Sequence, residues 1–491
     1  MRLPRPDVAD RLAQRLNALD YTVEGVQSLL GPVASAALER GSTVLAGRQL
    51  RDDPSPLSTL VRVFLLAELV EVSHFDAALA ESGELGDLVS ADGGDRVCSA
   101  LEVAPYATDG DNWLIASDWP TVRTGRPVSS QHVLGAGGAS QMLAQCTVRP
   151  TVRRALDLGT GCGVQALHLS QHSESVVATD VSSRCLDLAS FNAQLNRASL
   201  DVRHGSLFEP VRHERFDLIV SNPPFVIGSP DAGRHDYRDS GLPGDEVCAR
   251  IVGQAEGHLS DGGWCQLLAN WEVHAGEDWF RAPQRWLGSS GLDAWVVQRE
   301  VQDPAEYVET WLRDAGDDGC NDYERRYRDW YSGLAARDVV GVGFGLVSLR
   351  AGGHDEPIRR FQHAAQPLAQ PVGVEIARWF DRQDYLRTTP GAEVLAARLS
   401  VAPDVRVDVR LRPGAERPEE LLALRETGWC WTATLDAFAV DLLDRMAADR
   451  PVGEVVAEVA QAADLDVEEA LTAAVPVLRR MIEEGFLESV A

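Results

Sequence analysis

Glycine and acidic residues in the middle third of the chain have the types and spacing of a ligand-binding site. Gly159, Gly161 and Gly163 form a glycine-rich turn directly after the apolar run Ala155–Leu158. Glycine lets the backbone turn sharply and approach a ligand closely. Asp180 ends a second apolar run about 20 residues later, where a carboxylate can accept hydrogen bonds from two ribose hydroxyls. This order predicts a βαβ unit that binds a nucleoside-containing ligand.

A second motif, Asn222-Pro223-Pro224-Phe225, follows the apolar run Phe216–Val220. Two prolines cannot continue a sheet ladder. The chain is therefore expected to leave the sheet at the C-terminal end of this strand, where open α/β sheets bind ligands. An ordinary Asn-Pro turn is the alternative, but the position of the motif after a glycine turn and an acidic strand end favours a functional site.

With these motifs, residues 130–350 resemble class I S-adenosylmethionine-dependent methyltransferases. The resemblance is carried by Asp157-x-Gly159-x-Gly161-x-Gly163, Asp180 and the tetrapeptide. The tetrapeptide is typical of the branch that methylates planar nitrogens, which includes release-factor glutamine methyltransferases and ribosomal-RNA guanine-N2 methyltransferases. The resemblance implies an α/β fold with a Rossmann-like core of seven strands, the last one antiparallel. It also implies S-adenosylmethionine as the cofactor.

The same resemblance implies which residues contact the cofactor. They are Asp157, Gly159, Thr160, Gly161, Gly163, Asp180, Val181, Ser206, Leu207 and Asn222. The family usually has an aspartate that holds the adenine amine where this chain has Ser206. We therefore expect that contact from the Ser206 hydroxyl or the Leu207 backbone N–H. The stretch Val133–Leu143 is similar to a cofactor lid of the glutamine enzymes, and Ser140 is predicted to cap the helix that follows.

The catalytic residues implied by the resemblance are Asn222, Pro223, Pro224 and Phe225. An amide or a base amine is a poor nucleophile because its lone pair is delocalised. The Asn222 side-chain oxygen and the Pro223 carbonyl can accept its two N–H groups and orient the lone pair toward the methyl group. Phe225 offers a flat face to a planar substrate or to the sulfonium charge.

The rest of the chain predicts modules on both sides of this core. Residues 1–105 have helical periodicity followed by a β-wing, which predicts a winged-helix-like module for packing or dimerisation rather than substrate recognition. Residues 106–350 are expected to be the methyltransferase domain with a leading β/lid segment. A linker is predicted at 351–375 and a mostly helical, winged-helix-like module at 376–491. Aromatic residues within 304–338 are predicted to belong to the core.

The composition makes nucleic acid, a metal ion and a membrane less expected as binding partners. The net charge is −28 at pH 7, whereas nucleic-acid binders usually carry a basic patch. The eight cysteines have no CxxC spacing, so no metal site is expected. The sequence has no run of about 20 apolar residues, so no membrane span is expected. The N-terminal sequence lacks an apolar signal segment, and a cytoplasmic location is therefore predicted.

Two classes of methyl acceptor fit these features. A protein glutamine of a translation factor or ribosomal component is preferred, because of the acidic composition and because Asp239–Leu242 resembles the release-factor enzymes. An RNA base, at guanine N2 or adenine N6, is the alternative, because Leu268–Asn270 resembles the ribosomal-RNA enzymes. The fold also permits a small-molecule acceptor, and the intact tetrapeptide argues against an inactive scaffold. The terminal modules are expected to mediate self-association or to bind a protein.

Overall fold

The computed structural model describes residues 3–79, 82–92, 94–108, 110–120, 123, 131–228, 242–314, 322–414 and 418–489. The chain forms two compact units. The first comprises residues 1–144 and 150–363, and the second comprises residues 145–149 and 364–491. Helices and strands are numbered below over the described residues.

The N-terminal part of the first unit contains helices followed by a small antiparallel sheet. Its described elements are α1 (Pro6–Ala18), α2 (Val23–Glu39), α3 (Val44–Leu50), α4 (Pro56–Phe64), β1 (Val70–Glu71), α5 (Val72–Leu79), β2 (Val89–Ala91) and β3 (Arg96–Ser99). The strand order β1-β3-β2 forms the predicted wing. Gly31 has a φ of 67° and kinks α2 before Pro32. Helix α4 ends at Phe64, and Ala67 beyond it has a left-handed φ of 56° that a helix cannot contain.

The main sheet of the first unit consists of β6 (Val152–Leu158), β7 (Ser173–Asp180), β8 (Asp201–His204), β9 (Phe216–Ser221), β10 (Leu259–His274), β11 (Asp293–Gln302), β12 (Val339–Arg350) and β13 (Arg359–His363). Their order is β13-β11-β12-β10-β9-β6-β7-β8. Strand β12 is antiparallel to both neighbours, and the other pairs are parallel. The central strands are continuous apolar runs, as parallel strands buried on both faces require. The predicted class I methyltransferase fold is confirmed.

The described helices that connect these strands are α6 (Gly138–Cys146), α7 (Val164–Ser170), α8 (Ser183–Leu195), α9 (Glu246–His258), α10 (Arg281–Leu287), α11 (Pro304–Asp314) and α12 (Tyr323–Ala335). Helix α7 follows the glycine turn after β6, and α8 follows β7. The glycine turn, Asp180 and the tetrapeptide consequently all lie at the C-terminal ends of parallel strands, the edge where such sheets bind ligands.

A hairpin of β4 (Glu102–Ala107) and β5 (Asn112–Ser117) joins the N-terminal helices to the main sheet. Asn192 on α8 accepts from the Ala116 N–H at 2.8 Å and donates to its carbonyl at 2.9 Å. Asn196 bonds in the same way to both backbone groups of Leu114, at 2.8 Å each. Two side chains thus take the place of a neighbouring strand for β5.

Strand β10 begins at Leu259, with an irregular register before Trp264. One segment of the main sheet differs from the sequence prediction. Residues 351–375 were expected to be a linker, yet they include β13, which pairs with β11 at the sheet edge. Glycine and proline residues flank this strand. They give the segment the composition of a loop, and a linker was predicted for that reason.

The second unit combines helices with short strands. Its described elements are α13 (Gly373–Thr388), β14 (Leu399–Val401), β15 (Val405–Arg410), β16 (Glu420–Arg425), β17 (Thr432–Leu435), α14 (Ala437–Arg445), α15 (Val452–Ala462), α16 (Val467–Glu483) and β18 (Leu487–Ser489). Strands β15-β16-β17 form one sheet and β14-β18 another. The three predicted helices between 437 and 484 are present. Over the described residues of the chain, no helix is long and apolar enough to cross a membrane.

Candidate active site

A cavity of about 250 Å³ opens at the C-terminal ends of β6, β7 and β9. Its wall includes Gly159, Thr160 and Gly161 of the glycine turn. Gly159 and Gly161 have φ of 76° and 55°, and a Cβ at either position would meet no atom within 4 Å. These two glycines are therefore required by backbone conformation, and they leave open space for a ligand. Gly163 faces away from the cavity, because a Cβ there would lie 3.1 Å from Ala189.

Asp157 lies beneath the turn and is not among the residues that line the cavity. Its Oδ2 accepts from the Thr160 hydroxyl at 2.6 Å and from the Ala166 N–H at 2.9 Å. Burial raises the pKa of Asp157 to about 7. In this structure the side chain fixes the glycine turn to the start of α7, and a direct cofactor contact by Asp157 stays a prediction.

Asp180 points into the cavity from the end of β7. Its Oδ2 accepts from the Gly161 N–H at 3.0 Å, and its Oδ1 accepts from the Ser182 N–H at 2.8 Å. Burial raises the pKa of Asp180, and these two backbone donors oppose that rise. Because a carboxylate oxygen has two lone pairs, each oxygen keeps an acceptor site for a ribose hydroxyl.

Val181, Ser206 and Leu207 form one end of the cavity. Val181 is 58% exposed although it is apolar, as expected of a residue that covers a flat ligand. The Ser206 N–H donates to the Glu209 carboxylate at 3.3 Å. Leu207 has a left-handed φ of 47°. All three residues lie where the resemblance implied adenine contacts, and those contacts remain predictions.

The tetrapeptide forms the opposite wall. Asn222, Pro223 and Pro224 line the cavity, whereas Phe225 does not. Asn222 donates from Nδ2 to the Ser140 hydroxyl at 3.3 Å. Its Oδ1 is buried and has no hydrogen-bond partner among the described residues. An unsatisfied buried acceptor is costly, and this one belongs to a residue that lines the cavity.

Phe225 is half-buried behind this wall. Its ring makes an edge contact with Trp311, at 6.5 Å between centroids. The predicted stacking of Phe225 on a substrate therefore stays untested. Most of the loop after the tetrapeptide, including Asp239, Ser240 and Gly241, lies outside the described residues.

Residues 131–135 and Ser140 line the cavity, and the predicted lid segment contributes Val133, Leu134, Gly135 and Ser140. The Val133 N–H donates to Asp118 at 2.9 Å, and Asp118 also forms an ion pair with Arg184 of α8. Ser140 was predicted to cap the helix, but α6 begins at Gly138, so Ser140 lies within its first turn. Its carbonyl accepts from Gln165 Nε2 at 2.7 Å. Ser140 thus connects the lid segment to both the glycine-turn helix and the tetrapeptide.

Sequence reasoning missed this bond between Ser140 and Asn222. A serine near a helix start usually predicts a cap, and the two residues are far apart in sequence. Gln165 was missed as well, because a single glutamine in an amphipathic helix gives no signal of its own.

The residues present fit S-adenosylmethionine. The glycine turn has the open space that close backbone approach requires, and the N-terminus of α7 follows it directly. Asp180 supplies acceptors for a ribose, Val181 supplies an apolar cover, and Asn222 lines the far wall.

Three family models match consecutive parts of the chain. Residues 121–278 match the methyltransferase small domain. Residues 18–98 and 377–489 match two domains of unknown function, DUF7059 and DUF7782. The boundaries of the methyltransferase match enclose the glycine turn, Asp180 and the tetrapeptide.

Proteins of known function are similar to the same region. A release factor glutamine methyltransferase of Xylella fastidiosa is 34% identical over 161 residues, 30% of this chain and 56% of that protein. A ribosomal protein uL3 glutamine methyltransferase of Bradyrhizobium diazoefficiens is 31% identical over 188 residues, 35% of this chain and 57% of that protein. Ribosomal RNA small subunit methyltransferase C of Klebsiella pneumoniae is 33% identical over 152 residues, 30% of this chain and 40% of that protein.

The chain thus spans about half the length of the glutamine methyltransferases it matches. Its central part is a class I S-adenosylmethionine-dependent methyltransferase domain, as the family model, the sheet order and the motifs agree. The cofactor of this class is S-adenosylmethionine. The predicted class and cofactor are confirmed.

Proposed function

We propose that the protein is an N-methyltransferase that acts on the side-chain amide of a protein glutamine, in a translation factor or ribosomal component. The observation that carries this proposal is Asn222 Oδ1, a buried acceptor without a partner among the described residues. A thiolate has no hydrogen to donate to such an oxygen, and a hydroxyl has one. A primary amide or a base amine has two N–H donors and fits it.

The wall residues would orient the substrate nitrogen. Ser140 accepts from Nδ2 of Asn222, and this bond would leave Oδ1 to the substrate nitrogen. A hydrogen bond from the substrate N–H to Oδ1 would turn the nitrogen lone pair toward the reacting carbon. S-adenosylmethionine, when bound, supplies an electrophilic methyl group whose bond to sulfur breaks as the nitrogen attacks. The nitrogen then loses a proton to solvent.

Protein is preferred to RNA as the acceptor for two reasons. The net charge of −28 opposes binding to a polyanion. In addition, the Leu268–Asn270 strand end that resembles the ribosomal-RNA enzymes lies in the core, where Asn270 is 1% exposed and donates to the Tyr307 hydroxyl at 3.3 Å. RNA remains the second candidate because one of the similar proteins is a ribosomal RNA methyltransferase.

A labelling experiment tests the acceptor class. Purified protein and [methyl-³H]S-adenosylmethionine would be incubated with release factors, ribosomal proteins and ribosomal RNA. We expect label in protein, recovered as N5-methylglutamine after digestion. Label recovered only in RNA would contradict the proposal and support the alternative.

The Asn222→Ala and Asn222→Asp variants test the residue that carries the proposal. Alanine removes the acceptor oxygen, and turnover should fall by about 10²–10³-fold, the usual effect of losing one preorganised group. Aspartate keeps an acceptor oxygen, and it should retain more activity than alanine. Full activity of Asn222→Ala would mean that the tetrapeptide is only a structural turn. The proposed role of Asn222 in orienting the substrate would then be overturned.

We also propose that residues 106–350 suffice for cofactor binding, while 1–105 and 376–491 serve packing, self-association or protein binding. In support, residues 451–491 contain nine acids and two arginines, which disfavours nucleic acid there. A cytoplasmic location remains part of the proposal.

A further inference from the structure

Two helices are inserted between β11 and β12, and they pack against the segment that follows the tetrapeptide. Helices α11 and α12 form one apolar cluster with this segment and with β12. Its buried members are Val226, Ile227, Tyr307, Val308, Leu312, Trp330, Leu334, Val339 and Val342. The expectation that the aromatic residues of this region belong to the core is confirmed for Tyr307 and Trp330, which are 0% and 2% exposed.

Both backbone polar groups of Ile227 are bonded to these helices. Its N–H donates to the Tyr307 hydroxyl at 2.8 Å, and its carbonyl accepts from Trp330 Nε1 at 2.8 Å. Ile227 is fully buried and belongs to no helix or strand. Without the two side chains, its N–H and C=O would be buried and unpaired, which is costly.

The Tyr307 hydroxyl also accepts from Asn270 Nδ2 at 3.3 Å. It therefore joins the tetrapeptide segment to the end of β10. The Tyr307 ring packs against Trp330 and Phe344, at 6.2 and 5.7 Å between centroids. The hydroxyl is consequently held in place by aromatic packing on several sides.

The backbone between Asn222 and Ile227 is conformationally constrained. Pro223 and Pro224 have φ fixed near −65° by their rings, and Phe225 is packed against Trp311. A shift of Ile227 would therefore be transmitted to Asn222. The tetrapeptide is held from two sides, by Ser140 at Asn222 and by the inserted helices at Ile227.

We infer that Tyr307 and Trp330 are positioning residues of the methyl-transfer site, through which the inserted helices set the orientation of Asn222. This inference rests on the proposed amino-methylating function. It assigns the insertion an indirect role in catalysis, because neither side chain lines the cavity and both bond to the backbone of Ile227.

The Tyr307→Phe variant tests the inference because it removes one hydroxyl and keeps the ring. Three quantities would be measured on the full chain: amide hydrogen exchange of the peptide that spans 218–228, the dissociation constant of S-adenosylhomocysteine, and kcat and KM for the labelled protein substrate. We expect faster exchange at Ile227 and Phe225, a dissociation constant within twofold of wild type, and a kcat lowered by about tenfold with little change in KM. Trp330→Phe should behave in the same way.

Tyr327→Phe is the matched control. Tyr327 lies on α12, the helix that contains Trp330, and its hydroxyl donates to Glu309 at 3.5 Å. All three quantities should stay at wild-type values.

Two outcomes would overturn the inference. One is faster exchange at Ile227 with unchanged kcat, which would mean that the bond between Tyr307 and Ile227 is purely structural. The other is exchange that changes at Ile227 but not at Phe225, which means that the effect does not reach the tetrapeptide. If the wild type methylates no glutamine, the proposed acceptor fails, while the exchange at Phe225 still decides whether Tyr307 positions the tetrapeptide.

Discussion

The side-chain amide of Asn222 donates from Nδ2 to the hydroxyl of Ser140 at 3.3 Å, between residues 82 positions apart in sequence. In this structure the bond places Nδ2, rather than Oδ1, beside Ser140. The oxygen is left without a partner among the described residues, and Ser140 is itself held through its carbonyl by Gln165. The lid segment therefore contacts the residue on which the proposed chemistry depends.

Ser140→Ala should lower kcat by about fivefold, because one neutral hydrogen bond contributes about 1 kcal/mol. The Asn222 amide could then rotate and present its NH₂ group to the substrate. Ser140→Thr keeps the hydroxyl and should stay near wild-type activity. Steady-state kinetics with saturating cofactor would measure both. Equal activity of the alanine and threonine variants would show that the Ser140 hydroxyl does not orient Asn222.

Much of this site could be predicted from sequence because its parts are local. The glycine turn, Asp180 and the tetrapeptide each end a short apolar run, and parallel strands bring such ends together. The bond of Ser140 and the bonds of Tyr307 and Trp330 could not be predicted, since each joins distant segments and involves one ordinary polar side chain. The strand β13 was missed because it is short and flanked by glycine and proline.

Asp180→Ala should weaken binding of S-adenosylhomocysteine by about 1–3 kcal/mol, the usual contribution of charge-assisted hydrogen bonds. The change removes the acceptors for the ribose and also the bond to the Gly161 N–H. Asp187→Ala is the control, because it removes the same charge from an exposed position of α8 outside the cavity. Calorimetry would compare the affinities of the two variants for S-adenosylhomocysteine. Unchanged affinity in Asp180→Ala would mean that another group binds the ribose.

Ser206→Asp should strengthen binding of S-adenosylhomocysteine by about ten- to a hundredfold, because one added hydrogen bond to a charged group contributes about 1.5–3 kcal/mol. The related enzymes usually have an aspartate that holds the adenine amine where Ser206 lines this cavity. S-inosylhomocysteine lacks that amine, and its affinity should not improve. If both ligands gained equally, or neither did, the adenine amine would not lie beside residue 206.

Asp157 makes the stability of the first unit depend on pH. Burial raises its pKa from 3.8 to about 7. Between these values the folded chain keeps a proton that the unfolded chain has released. The free energy of unfolding should therefore fall as pH rises, by at most about 1.4 kcal/mol per pH unit. The contribution is fully present below about pH 4 and is lost as pH rises through about 7.

Asp157→Asn tests this dependence, because asparagine resembles the protonated carboxyl, keeps an oxygen for the Thr160 hydroxyl and the Ala166 N–H, and does not titrate. Urea unfolding midpoints of wild type and variant would be measured at pH 5, 6, 7 and 8. The wild-type midpoint should fall relative to that of the variant between pH 5 and 7, and the difference should become constant above pH 7. Parallel curves across the whole range would mean that Asp157 is ionised throughout, and that the bonds to Thr160 and Ala166 outweigh its burial.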